Sequence, residues 1–214
     1  MADYTIIPLG LWYNDFSKET RMMKKKLFSE LPTLSDDGIT LRPLNIGDAC
    51  SLKELTEDNE VYRYLPTFLF EKRYENTEEV ICRLYDEGLK ESLILGIFQD
   101  GAFCGLAEMY GYRDETHKIS VGYRLVKRCW GKGIATKALG LMISYLNDET
   151  DIEIITASSM VENKASAAVL RKNNFIIVTT AGEDWGYDTP ISAHKWIWYK
   201  QKSIRDPTMS IKEI

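Results

Sequence analysis

The stretch Arg128-Cys129-Trp130-Gly131-Lys132-Gly133-Ile134-Ala135 carries chemistry in its spacing. A run with strand character enters it and an amphipathic run with helical period leaves it. In that setting the N–H groups of a glycine-bearing loop converge with the unpaired N–H groups of a first helical turn. The helix dipole adds positive potential, so the loop predicts an anion site. Gly131 and Gly133 put no side chain in the way of a phosphate and tolerate φ > 0. Arg128 and Lys132 lend charge at the rim, and the guest that fits is a pyrophosphate. Two other phosphate loops fit poorly. A P-loop needs Gly-Lys followed by Ser or Thr, but Gly131-Lys132 is followed by Gly133. A dinucleotide fingerprint needs Gly or Ala in its sixth position, where Thr136 stands.

The elements around the loop follow from periodicity. Lys118 to Val126 alternates as a strand and runs into it. Ile134 to Leu146 aligns Ala135, Ala138, Leu139, Met142, Ile143 and Leu146 on one face and predicts the helix that leaves it. Gly140 within that helix predicts close backbone packing. Ser92 to Gln99 and Ala102 to Tyr112 read as strands joined by the hairpin signal Asp100-Gly101. With Lys118 to Val126 they make an antiparallel meander, unlike the β-α-β opening of a dinucleotide fold.

Upstream, Ile39 to Leu44 is a strand with Ile39 and Leu41 on one face, and Ala49, Leu52 and Leu55 mark a short helix after Gly47-Asp48. Val61 to Phe70 is rich in aromatics and broken at Pro66. It reads either as a pocket wall built from Tyr62, Tyr64, Phe68 and Phe70 or as a loop folded over the core. A helix follows from Thr77 to Lys90. Downstream come a strand at Ile152 to Ala157, a helix at Lys164 to Lys172, and strands at Phe175 to Thr180 and Ser192 to Tyr199. The breaker cluster Pro32 and Ser35-Asp36-Asp37-Gly38 sets a boundary. The domains are therefore read as an extension over 1–36, a domain over 37–203 and a polar tail over 204–214. Within the extension, Asp3 to Tyr13 has strand character, Lys18 to Leu31 helical character, and Lys24-Lys25-Lys26 reads as a solvated face.

Arg-x-x-Gly-x-Gly followed by Ile-Ala resembles the acetyl-CoA signature of the GNAT superfamily of N-acetyltransferases. Val121-Gly122-Tyr123-Arg124-Leu125 before it is similar to the branch that includes the ribosomal-protein N-terminal (RimJ/RimL-like) acetyltransferases. So is Asn163-x-x-Ser166-x-x-x-Leu170-x-Lys172-x-Asn174-Phe175 after it, with Asn174 where that branch has glycine. Leu41-Arg42-Pro43-Leu44 and Tyr62-Arg63-Tyr64-Leu65-Pro66 match in kind, so the resemblance spans 39–200. It implies an α+β (mixed α/β) fold, a twisted, mixed, mostly antiparallel sheet of about seven strands with about four helices flanking it. The sheet would splay between the fourth and fifth strands, here Lys118–Val126 and Ile152–Ala157.

The resemblance further implies direct transfer of acetyl from acetyl-CoA, as cosubstrate and without a metal, to a primary amine of a protein N-terminus or small molecule. Leu125, Val126, Arg128 to Ala135, Asn163 and Lys172 would hold the cofactor. The backbone N–H near Val126 would support the thioester oxygen. Ser166 would assist the departing thiolate, since no Tyr follows on that helix. Glu108 would act as base, its neighbours Ala107 and Met109 facing the other way. Tyr62, Tyr64, Phe68 and Tyr123 would line the acceptor pocket. Glu183 and Asp184 are substitute bases, and Cys129 is not read as a nucleophile.

Composition bounds these readings. The chain has 214 residues, 44% hydrophobic and 28% charged, as expected of a globular protein. Its net charge of −5 argues against nonspecific nucleic-acid binding and mildly favours cationic acceptors. No apolar run reaches a membrane span of about 18 residues, and Met1 to Phe16 lacks signal-peptide character. Four scattered cysteines and two histidines offer no zinc spacing and suit a reduced, cytoplasmic setting. Two competing readings are a catalytically silent CoA-binding sensor or interaction protein on the same fold, and a nucleotide-dependent enzyme. The first 36 residues leave a homodimer open.

Overall fold

The computed structural model describes residues 31–86, 89 and 92–200. The readings made for residues 1–30, for the last residues of the helix after Thr77 and for the tail beyond 200 lie outside them.

Two Asp-Gly pairs begin the sheet. Asp37 and Gly38 (φ 45° and 76°) and Asp100 and Gly101 (φ 48° and 82°) all adopt positive φ, the signature of the turn that matches strand twist. The second joins β3 (Ser92–Gln99) to β4 (Ala102–Arg113), as its sequence predicts. The first joins β1 (Leu34–Asp36) to β2 (Ile39–Arg42). That turn corrects the reading of Ser35 to Gly38 as a breaker and raises the strand count to eight.

The remaining strands are β5 (Lys118–Leu125), β6 (Ile154–Met160), β7 (Ile176–Glu183) and β8 (Ile191–Tyr199). Their order across the sheet is β1-β2-β3-β4-β5-β6-β8-β7. Every neighbouring pair is antiparallel except β5 and β6, which are parallel. Five α-helices are seen among the described residues, against an expected four: α1 (Ala49–Glu57), α2 (Asn59–Tyr62), α3 (Thr77–Asp86), α4 (Ile134–Glu149) and α5 (Lys164–Lys172).

Burial follows the alternation that the sequence shows. Ile39 and Leu41 are 1% and 0% exposed, and Ala107 and Met109, either side of Glu108, are both fully buried. Ser92 to Phe98 is buried at every position, so β3 is covered on both faces. α4 contributes Ile134, Ala138, Leu139, Met142, Ile143 and Leu146 to this core and lies across β1, β2, β4 and β5. Gly140 is not demanded by crowding, because a Cβ there would meet Asn173 Oδ1 at 3.5 Å, an ordinary contact. Asn173 itself links α5 to α4 by donating to the carbonyl of Thr136 at 3.2 Å.

β4 bulges where it passes the end of β5. Its register with β3 steps from Ile97↔Gly105 to Phe98↔Phe103, leaving Cys104 as the extra residue. The strands approach so closely that a Cβ on Gly105 would lie 2.0 Å from the Arg124 carbonyl oxygen. Only glycine fits there.

Candidate active site

β5 and β6 pair only at Lys118↔Ile154, Ile119↔Ile155 and Ser120↔Thr156, and then part. β5 continues through Val121 to Leu125 beside β4, and β6 through Ala157 to Met160 beside β8. A cavity of about 740 Å³ opens between them. The N–H of Val126 donates to the Cys104 carbonyl at 2.9 Å. In an antiparallel pair this fixes the parity, so beyond the last β5–β6 pair Tyr123 and Leu125 direct their backbone N–H and C=O groups into the gap. Of the N–H groups near Val126, where a donor to the thioester oxygen is expected, Val126's own is not available. That N–H is engaged by β4, and the Leu125 N–H faces the gap instead. The Leu125 carbonyl accepts from the Trp130 indole at 2.8 Å.

The glycine loop lies at one end of this gap. Gly131 and Gly133 have φ of 72° and 79°, and a Cβ at either would meet nothing within 4 Å. Backbone conformation requires them, not crowding. Gly133 caps α4 without a side-chain cap, and its carbonyl accepts from the Lys137 N–H at 3.1 Å. The N–H groups of Ile134, Ala135 and Thr136 have no protein acceptor among the described residues. These free donors, continuous with the gap-facing backbone of Tyr123 and Leu125, fit the pyrophosphate and pantetheine arm of a CoA thioester.

Other expected cofactor residues differ in what they touch. Arg128 is turned away, paired with Glu54 and donating to the Phe103 carbonyl at 2.8 Å. Lys132 is exposed at the loop tip, and Lys172 is exposed in the last turn of α5. Cys129 is buried beside Cys104, whose thiol burial and the neighbouring Cys129 push up to about 11. Asn163 lines the cavity and accepts the Ser166 N–H at 3.0 Å, capping α5. Asn174 takes φ 63° in the place of the family's glycine.

At the other end the cavity reaches Glu108, Tyr110, Tyr123, Ser166 and the aromatic segment. The Tyr123 hydroxyl lies 3.1 Å from Ser166 Oγ, and burial pushes it up to about 12. Tyr64 and Phe68 line the cavity. Tyr62 does not, and its hydroxyl instead donates to Glu71 Oε1 at 3.0 Å.

Sequence reasoning missed a group that the fold assembles behind this wall. Arg124 donates to Glu108 Oε2 at 2.9 Å and to Glu71 Oε2 at 2.7 Å. Its Nε is 2.5 Å from Glu71 Oε1, an ion-pair contact without hydrogen-bond alignment. Burial works against this guanidinium's charge, but the two carboxylates outweigh it and hold the group above its ordinary value. Across the gap, Lys195 pairs with Glu183 at 2.7 Å and donates to Ser158 Oγ at 3.1 Å. Two loops meet beside them: the Thr67 N–H donates to the Trp185 carbonyl at 2.9 Å and the Tyr187 hydroxyl to the Leu65 carbonyl at 2.6 Å.

The family described as the acetyltransferase (GNAT) domain matches this chain over residues 39–176. YdaF of Bacillus subtilis (strain 168), provisionally named a ribosomal N-acetyltransferase, is 30% identical over 81 residues, 38% of this chain and 44% of that protein. The match thus spans less than half of that relative's length. A GNAT-family acetyltransferase from Bacillus anthracis superposes with a TM-score of 0.69 at 17% identity, covering 78% of this chain and 98% of its own. The α-N-protein acetyltransferase RimL, in complex with coenzyme A, gives 0.66 at 18% identity, with 78% and 98% covered.

Proposed function

Starting from the chain's membership of the GNAT acetyltransferase family, we propose that it transfers acetyl from acetyl-CoA directly to a primary amine. The observation that supports this most is the continuity of the site. One cavity runs from free helix N–H groups, along the gap-facing backbone of β5, to a carboxylate and a hydroxyl pair.

Acetyl-CoA supplies an acetyl group activated as a thioester. The N–H groups of Gly131 to Thr136 hold its diphosphate, with Lys132 at the rim. The gap-facing backbone of Tyr123 and Leu125 aligns the pantetheine arm, and the Leu125 N–H donates to the carbonyl oxygen, where negative charge grows. Ser166 Oγ donates to the departing sulfur and is itself supported by the Tyr123 hydroxyl. Glu108 Oε1 has no protein partner among the described residues and takes the proton from the acceptor's ammonium, directly or through water. An α-amine, with a pKa of about 8, asks less of that base than a lysine at about 10.4. Tyr64, Phe68 and the loop at Trp185 form the acceptor wall. A protein N-terminus is one acceptor to test, given the names of the relatives, and a small diamine another.

The test begins with thermal stability. Acetyl-CoA at 100 times its Kd stabilises the fold by about 2.7 kcal/mol, whereas ATP and NAD at equal concentration do not. Glu108→Gln keeps that shift while kcat falls about 10²- to 10⁴-fold. No shift with acetyl-CoA or CoA contradicts the reading, and a shift without turnover on any amine supports a silent CoA-binding protein instead.

A further inference from the structure

We propose that Arg124 is a positioning residue for the acceptor end of the cleft, orienting Glu108 and fastening the aromatic wall to β5 through Glu71. The inference rests on the acetyl-transfer reading above.

The side chains of Arg124 and Glu71 are 3% and 1% exposed, and that of Glu108 is 12% exposed where it meets the cavity. One planar fork serves two carboxylates on different elements. Glu108 is on β4, while Glu71 is in the 3-10 turn Phe70–Lys72 that follows the aromatic segment. Lysine, a point donor, cannot reproduce that arrangement. Stability alone does not explain the cluster. Buried ion triads contribute little over apolar side chains of equal volume. What apolar side chains cannot do is fix the direction of a carboxylate.

Arg124 holds Oε2 of Glu108, a residue that lines the cavity, and Oε1 has no protein partner among the described residues. Through Glu71 it reaches the Tyr62 hydroxyl, so the segment that carries Tyr64 and Phe68 is anchored to the same guanidinium. The charges are unequal as well. One cation faces two carboxylates, and the surplus negative charge lies beside the open oxygen of Glu108. That surplus draws a cationic acceptor to the atom that must receive its proton.

The experiment compares wild type with the double variant Arg124→Met/Glu71→Gln, which removes one charge of each sign. The probes are acetyl-CoA with a short peptide bearing a free N-terminus and with an alkyl diamine. The double variant is expected to fold, to keep the acetyl-CoA thermal shift and its KM, and to lose at least about tenfold in kcat. Without acetyl-CoA, its backbone amides over residues 62–72 exchange faster than in wild type, and calorimetry shows weaker binding of the acceptor that wild type uses best. Arg124→Lys keeps the charge and restores only part of kcat. Should the double variant not fold, Arg124→Lys alone carries the test. Wild-type kcat and amine affinity in the variant that folds overturn this inference while acetyl transfer stands. Absence of turnover in wild type on both probes overturns acetyl transfer and this inference with it.

Discussion

At the residue scale, the loop depends on two backbone conformations that only glycine adopts at low cost. Gly133 has φ 79° and open space where a Cβ would stand, so Gly133→Ala tests conformation without steric conflict. An L-residue in that region costs about 1–2 kcal/mol. The denaturation midpoint should fall accordingly, and acetyl-CoA should bind more weakly because the first-turn N–H groups no longer converge. Unchanged acetyl-CoA affinity would show that the loop does not hold the cofactor. This glycine was legible in the sequence because φ > 0 is a local demand. Arg124 was not. Its significance depends on Glu71, 53 positions away, and no local pattern separates a buried arginine from an exposed one. Arg128 illustrates the reverse case. Its place in the signature suggested a phosphate contact, but the side chain turns to Glu54 and Phe103.

At the element scale, the entry to α1 is fixed by Asp48. Its carboxylate accepts from Arg42 at 2.8 and 3.0 Å and from the Asn45 N–H at 2.8 Å, while the Asn45 side chain accepts the Gly47 N–H at 2.9 Å. Burial raises the Asp48 carboxyl, but Arg42 and the Asn45 N–H outweigh it and hold it below its ordinary value. A depressed folded pKa contributes stability fully above the unfolded value of about 3.9, and that stability is lost as pH falls through the lower folded value. Asp48→Asn should therefore be less stable than wild type by about 1 kcal/mol at pH 7. The gap should narrow in urea denaturation as pH falls below the unfolded value and on through the lower folded one. A gap independent of pH would contradict the ion pair's part in it. The elements themselves were largely readable, α5 to the residue, because periodicity and caps are local. β1 was missed although Asp37-Gly38 is the same turn signal as Asp100-Gly101. A three-residue strand offers too little alternation to outweigh a cluster of turn formers.

At the scale of the whole molecule, the site exists because a parallel pair is abandoned after three residue pairs. No residue in β5 or β6 announces that divergence. It follows from β6 staying paired with β8 while the bulge at Cys104 and the bare Gly105 keep β5 against β4. The splay was accordingly expected from the family resemblance and not from alternation. The parity of β5, which turns the Val126 N–H to β4 and the Leu125 N–H to the gap, needed the hydrogen bond between Val126 and Cys104 to be seen.

Acetyl transfer is tested most directly by incubating the purified chain with acetyl-CoA and a panel of amines that includes peptides with free N-termini, diamines and lysine. Released CoA thiol and acetylated acceptor are followed in the same samples. The site predicts one CoA released for each acetylated amine, with Glu108→Gln slowed and acetyl-CoA affinity unchanged. Tight acetyl-CoA binding with no acetylated product from any amine would contradict it.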